Sequence, residues 1–405
     1  MKKIIALLLA AMMIVGLFAG CGEKTEAITL TVWGPQADQG ENGNGWLQQQ
    51  CEAFAKAHPE YKITFNYGVC SEGDAATMVG KDPSAAADVY FYANDQIGTL
   101  LQSNALAQFG GDFANEIKAN NSETMVNSVT YTDGGIYGVP FTPNSWFMYY
   151  NKSVYTEEDI KSLDAMMAKA PVAFPVTNTW YMPAFFFANG GTMFGDGTDG
   201  AAGITFGDEN AVAATTYIAN ALAAGTMIDD ANGAGLDGLR NGTIGAIFSG
   251  TWDAKNVKEA LGYNWAATTP PTITIGGEAK QLLSFGGSKA IAVNPNTKNA
   301  QAASALAAFL ATPEAQLDHY TFNGTAPVST KLMTENADIA ADVSVKAAVT
   351  TVGTTSVVQP SLPEMGAYWG AAEAMANAIV NGEVTHENAE AKTADFNTSL
   401  NNTGL

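Results

Sequence analysis

The chain has 405 residues, of which 40 are acidic and 19 basic, giving a formal net charge of −21, and 47% are hydrophobic against 15% charged. That excess of carboxylate repels phosphate and excludes a nucleic-acid binder, while the apolar content excludes a disordered chain. The length corresponds to about two domains of ~150–200 residues each.

Lys2 and Lys3 precede an apolar run from Ile4 to Phe18, closed by Ala19-Gly20-Cys21. A charged head, a short apolar stretch and small residues make an export signal, too short for the ~20 residues of a membrane span. The Ala-Gly-Cys end resembles a bacterial lipobox. It implies a signal over 1–20, a lipid on Cys21 and a tether over 21–27, anchoring the protein outside the cytoplasmic membrane, as on a Gram-positive cell surface. Without its leader the chain carries 17 basic against 40 acidic residues, net −23.

Strands are expected at Ile28–Trp33, Tyr61–Tyr67, Asp88–Tyr92, Phe147–Asn151 and Thr243–Ser249, with helices near Gly45–His58, Asn210–Ala224, Ala300–Ala311 and Pro363–Val380. Strands alternating with helices argue for an α/β fold with largely parallel sheets. Gly276-Gly277 supplies the turn of a hairpin over 272–283. Cys51 and Cys70 are either a disulfide, which export permits, or two buried thiols.

Catalytic and cofactor patterns are mostly missing. There is no G-x-S-x-G, H-E-x-x-H, C-x-x-C or P-loop, and His58, His319 and His386 lack metal-ligand spacing. Gly195–Gly200 fits G-x-G-x-x-G, but Asp196 and Asp199 would repel a pyrophosphate, so it reads as a surface turn. No cofactor and no metal are expected. A carboxylate pair of glycosidase type stays open, since 40 acids make such pairs inevitable.

Aromatic residues beside amides and carboxylates recur at strand ends and helix starts. Trp33 leads into Gln36, Asp38, Glu41 and Asn42; Tyr92 into Asp95 and Gln96. Asn144 precedes Trp146, Trp180-Tyr181 follows Asn178, Trp252 follows Ser249-Gly250, and Tyr368-Trp369 follows Glu364. Aromatic rings suit the C–H faces of a sugar, and amides and carboxylates suit its hydroxyls. Each Trp also has a packing reading, strongest for Trp146 and Trp265, and Asp95 could simply cap a helix. Arg240 is the only arginine, which disfavours an anionic ligand wanting a bidentate fork.

Four stretches carry a resemblance in their order and spacing: Ala87–Asp95, Gly135–Pro140 leading to Tyr149-Tyr150-Asn151-Lys152, Ala246–Trp252 and Leu362–Trp369. Together they resemble extracellular solute-binding proteins of carbohydrate ABC importers, closest to the maltose and maltodextrin binders. The resemblance implies two lobes, 28–143 plus 285–326 and 144–284 plus 327–405, closing on a ligand by a hinge. It implies a sugar site of Gln36, Asp38, Glu41, Tyr92, Asp95, Asn144, Trp180, Trp252, Glu364 and Trp369. Asn144 stands where those relatives place a carboxylate and Gln96 where they place a basic residue. The expected protein is a monomeric, lipid-anchored binder delivering a neutral oligosaccharide, most plainly a malto-oligosaccharide, to membrane permease subunits. The rivals are the same fold with a β-linked sugar, an exported glycosidase, or an adhesin for insoluble polymer.

Overall fold

The computed structural model describes residues 27–40, 42–231 and 233–401. The export signal, Cys21 and Glu41 lie outside them.

Two five-stranded sheets organise the chain. In the first the order is Ile63–Val69, Ile28–Gly34, Val89–Ala93, Ser288–Val293, Val139–Pro143; in the second it is Met227–Asp229, Val172–Phe174, Ala246–Ser249, Phe147–Asn151, Trp265–Thr268. Each sheet is parallel except for one reversed strand, Ser288–Val293 in the first and Phe147–Asn151 in the second. The reversal follows from connectivity. Both strands enter their sheet directly from a segment that crosses between lobes, at 143–147 and at 286–288, so they start where their neighbours end. The sequence reading anticipated parallel sheets and not these two reversals.

Each sheet builds its own core. Buried side chains from 30–141 and 290–315 form one, including Leu30, Phe91, Trp46 and Leu306. Those from 146–285 and 365–400 form the other, including Trp146, Phe174, Phe248 and Tyr368. Trp46 opens the helix Trp46–Ala57, stacks on Phe141 at 5.0 Å and donates its indole N–H to Ala315 O at 2.9 Å. A short parallel pair, Ser284–Gly286 with Ser356–Val358, lies beside the crossings. Two serine pairs bracket them: Ser145 Oγ with Ser284 Oγ at 2.8 Å, and Ser128 Oγ with Ser288 Oγ at 2.7 Å, all buried.

The disulfide option is overturned: Cys51 and Cys70 are separate buried thiols. Burial pushes the Cys51 thiol up to about 12 and the Cys70 thiol up to about 11, holding both as unreactive S–H. In protein lacking the first 21 residues, a thiol reagent at pH 8 is expected to find no reactive cysteine natively and two after denaturation. Loss of both thiols in denatured, unreduced protein would establish the disulfide instead.

Candidate ligand-binding cleft

The strand Ala246–Ser249 runs into Gly250 and a tight turn over Thr251–Asp253. A Cβ at Gly250 would collide with the six-membered ring of Trp252, so the indole lies against bare backbone and only glycine fits beneath it. Trp252 is 48% exposed, which is unusual for so large an apolar side chain. Trp180 faces it with ring centroids 6.3 Å apart and planes tilted by 42°. The Trp180 indole N–H donates to Gln359 Oε1 at 2.8 Å, and Tyr181 packs edge-on against it at 5.3 Å. Trp180 therefore has its rotamer fixed from two sides.

Trp369 lies one residue after Tyr368, whose hydroxyl donates to Thr179 O at 2.7 Å, so the start of the helix Gly366–Val380 is bound to the Trp180 turn. Trp369 is half-buried, edge-on to Tyr368 at 5.1 Å. Glu364, in the turn before that helix, has Oε2 buried with no hydrogen-bond partner among the described residues. A Cβ on Gly200 would come within 2.7 Å of its other oxygen. The Gly195–Gly200 motif is thus a turn, as read from the sequence, held by Asp196 and Asp199 side chains accepting from Thr198 N and Ala201 N. Its last glycine nevertheless makes room for Glu364.

From the first lobe, Asp95 follows the strand Val89–Ala93. Burial pushes its carboxyl up to about 6, an effect opposed by its own backbone N–H and by nearby Gln359. Asn144 sits in the crossing, with its backbone N–H on Gly287 O at 2.9 Å. Gln359 lies at the end of Ser356–Val358 and is almost fully buried, with its backbone N–H on Gly286 O at 3.1 Å. It stands between Asp95 of one lobe and Trp180 of the other. The sequence reading missed it. The available signal was Gln359-Pro360, since a residue before proline is held extended and a strand stops there.

Several expected site residues belong elsewhere. Tyr92 is fully buried in the central strand and donates its hydroxyl to Tyr137 O at 3.2 Å, so it is core and offers no face to a ligand. Asp38 is buried too; its Oδ1 accepts from His319 Nε2 at 2.8 Å and from Asn323 Nδ2 at 2.9 Å, which ties the first loop to the helix Pro313–Asn323. Because the carboxylate can only accept, His319 carries its proton on Nε2. Gln36 and Asn42 are exposed on that loop, and Gln36 makes only a long 3.4 Å contact to Gly40 O. Gln96 is no ligand stand-in: it pins the 72–76 turn by donating to Gly73 O at 2.6 Å and accepting from Ala76 N at 2.7 Å. Trp146 is core, as the packing reading has it.

Two five-stranded sheets, each with its own core and joined by crossing segments, define a two-lobed α/β protein. The family described as bacterial extracellular solute-binding protein matches residues 49–347, and the chain belongs to it. A solved structure described as being with acarbose is 48% identical, with a TM-score of 0.88, covering 94% of this chain and 100% of that one. The maltodextrin-binding protein of L. casei BL23, solved without ligand, is 26% identical with a TM-score of 0.83, covering 93% and 99%. The maltooligosaccharide ABC transporter solute-binding lipoprotein of Streptococcus pneumoniae R6 is 26% identical over 410 residues, 93% of this chain and 91% of that protein.

Proposed function

We propose that this protein captures malto-oligosaccharides outside the cell and hands them to the permease of an ABC importer, without chemical turnover. The observation that carries this reading is the Trp180–Trp252 pair, tilted by 42° at 6.3 Å, with Trp180 joined through Gln359 to the polar edge at Asp95. Indoles so set offer two platforms for successive rings of a bent glucan chain, and the polar edge takes the hydroxyls. Trp369, Glu364 and Asn144 extend the same walls. We take Cys21 as the lipid-bearing residue and the protein as a monomer on the outer face of the membrane. We divide the lobes at 143/144, 284/285 and 326/327; the two separate cores support the first two boundaries to within a residue, while Ala326 packs with Leu332, Ile339 and Val345 across the third.

Incubation with maltotriose tests the reading. A saturable rise in melting temperature with no new sugar on chromatography supports capture; hydrolysis products, or no response to any malto-oligosaccharide, would overturn it.

A pH dependence follows from Asp95. Its ionised form accepts sugar hydroxyls, and with the carboxyl at about 6 in the empty protein, protonation removes that acceptor as pH falls. Affinity is expected to be about tenfold lower at pH 5 than at pH 7.5, and nearly flat over that range in Asp95→Asn. Calorimetric titrations at the two pH values decide it. For stability of the empty protein the sign is opposite. A carboxyl raised on folding contributes stability below its unfolded value near 4, and that contribution is lost as pH rises through about 6.

A further inference from the structure

Trp180 and Asp95 belong to different lobes, and the Gln359 side chain stands between them. Its backbone is fixed beside the crossings. The strand Ser356–Val358 pairs in parallel with Ser284–Gly286, and the Gln359 N–H donates to Gly286 O at 3.1 Å. A Cβ on Gly286 would collide with the Ser356 hydroxyl, so glycine lets the two segments lie this close. Pro360 keeps Gln359 extended and ends the strand.

The chemistry of its two neighbours dictates how the amide lies. An indole N–H can only donate, and an ionised carboxylate can only accept. An amide answers both. Its Oε1 accepts from Trp180 Nε1 at 2.8 Å, which leaves Nε2 for Asp95. The amide is near enough to favour the ionised carboxylate, though short of full hydrogen-bonding geometry. Glutamate at this position could not donate, lysine could not accept, and methionine could do neither. Gln359 is 3% exposed, so water competes for neither end.

We propose that Gln359 is a positioning residue for sugar capture, a neutral link between the lobes that fixes the Trp180 indole and the Asp95 carboxylate relative to each other without itself touching the sugar. This rests on the capture function proposed above. The spacing between stacking face and hydroxyl acceptor is then set before the ligand arrives, and such preorganisation raises affinity.

The test is a double-mutant cycle read by calorimetry with maltotriose, on the wild type, Gln359→Met, Trp180→Phe and the double variant. Methionine keeps the length and bulk while removing both hydrogen-bonding ends; phenylalanine keeps an aromatic face and removes the indole N–H. At pH 7.5, Gln359→Met alone is expected to weaken binding about tenfold. In the Trp180→Phe background, where the link is already cut, it should weaken binding at most about threefold. A second readout addresses Asp95. Burial pushes its carboxyl up to about 6, Gln359 opposes that rise, and no charged side chain is among the influences on it. Gln359→Met should therefore move the acid-side fall in affinity to higher pH than in the wild type, and Asp95→Asn should abolish the difference. Additive losses in the cycle would make Gln359 a sugar contact, and unchanged affinity with a lowered melting temperature would make it a structural one; either result overturns the proposal. So would an unmoved pH profile. Absence of maltotriose binding by the wild type would instead overturn the capture function, and the role built on it.

Discussion

Replacing Trp180 and Trp252 together by alanine is expected to weaken malto-oligosaccharide binding by about a hundredfold. Each indole stacked on a sugar face contributes on the order of 1–2 kcal/mol, and tenfold in affinity corresponds to about 1.4 kcal/mol. The two rings lie only 6.3 Å apart, so their contributions couple, and Trp180 also holds Gln359, so its loss frees a buried amide. Trp252→Ala alone is the cleaner variant. Its ring is half in solvent and lies on Gly250, so the empty protein should keep its melting temperature while affinity falls about tenfold. Calorimetry with maltotriose reads both values. Affinity within threefold of wild type in the double variant would remove the tryptophan pair from the site.

Asp38→Ala should behave in the opposite way, costing stability and sparing affinity. The substitution removes the acceptor of two buried donors, His319 Nε2 and Asn323 Nδ2, while the imidazole stays wedged 4.7 Å from both Trp46 and Phe141. Two stranded donors of this kind cost about 3 kcal/mol together. Denaturant unfolding measures the loss, and maltotriose affinity at a temperature where the variant is folded should lie within threefold of wild type. If stability were unchanged and affinity lost, Asp38 would be a ligand contact after all, and the geometry around His319 would be wrong.

These two variants mark where the sequence was readable. The two-lobed α/β architecture follows from alternating strands and helices together with four ordered stretches, and Phe147–Asn151 is a strand with the bounds its sequence suggests. Trp252 is legible because Ser249-Gly250 ends a strand and leaves a bare backbone surface beside the ring. Tyr92 looks equivalent on paper, an aromatic residue ending a strand before polar residues. Its strand is central, however, paired along one edge with Ile28–Gly34 and along the other with Ser288–Val293, and side chains on both its faces are buried. Sheet order, which decides this, is set by chain segments 200 residues further on. Asp38 fails for the same reason: its partner His319 is 281 positions away, and an acid in a glycine-rich loop reads as ligand-facing until that partner is known. Gln359 is marked only by the proline that follows it, because its importance comes from the contact it makes with Trp180.

The serine pairs at the crossings bear on how much free energy the sugar must supply. In each pair either hydroxyl can be the donor, so a modest twist of the chain swaps the roles of the two oxygens instead of breaking a bond. Each pair ties segments of one lobe, so it can persist while the crossings bend, and a ligand shifts an open–shut balance only by binding the shut form more tightly. For a permease sampling many such molecules at the membrane, shape becomes a readout of cargo rather than of the empty protein's own preference.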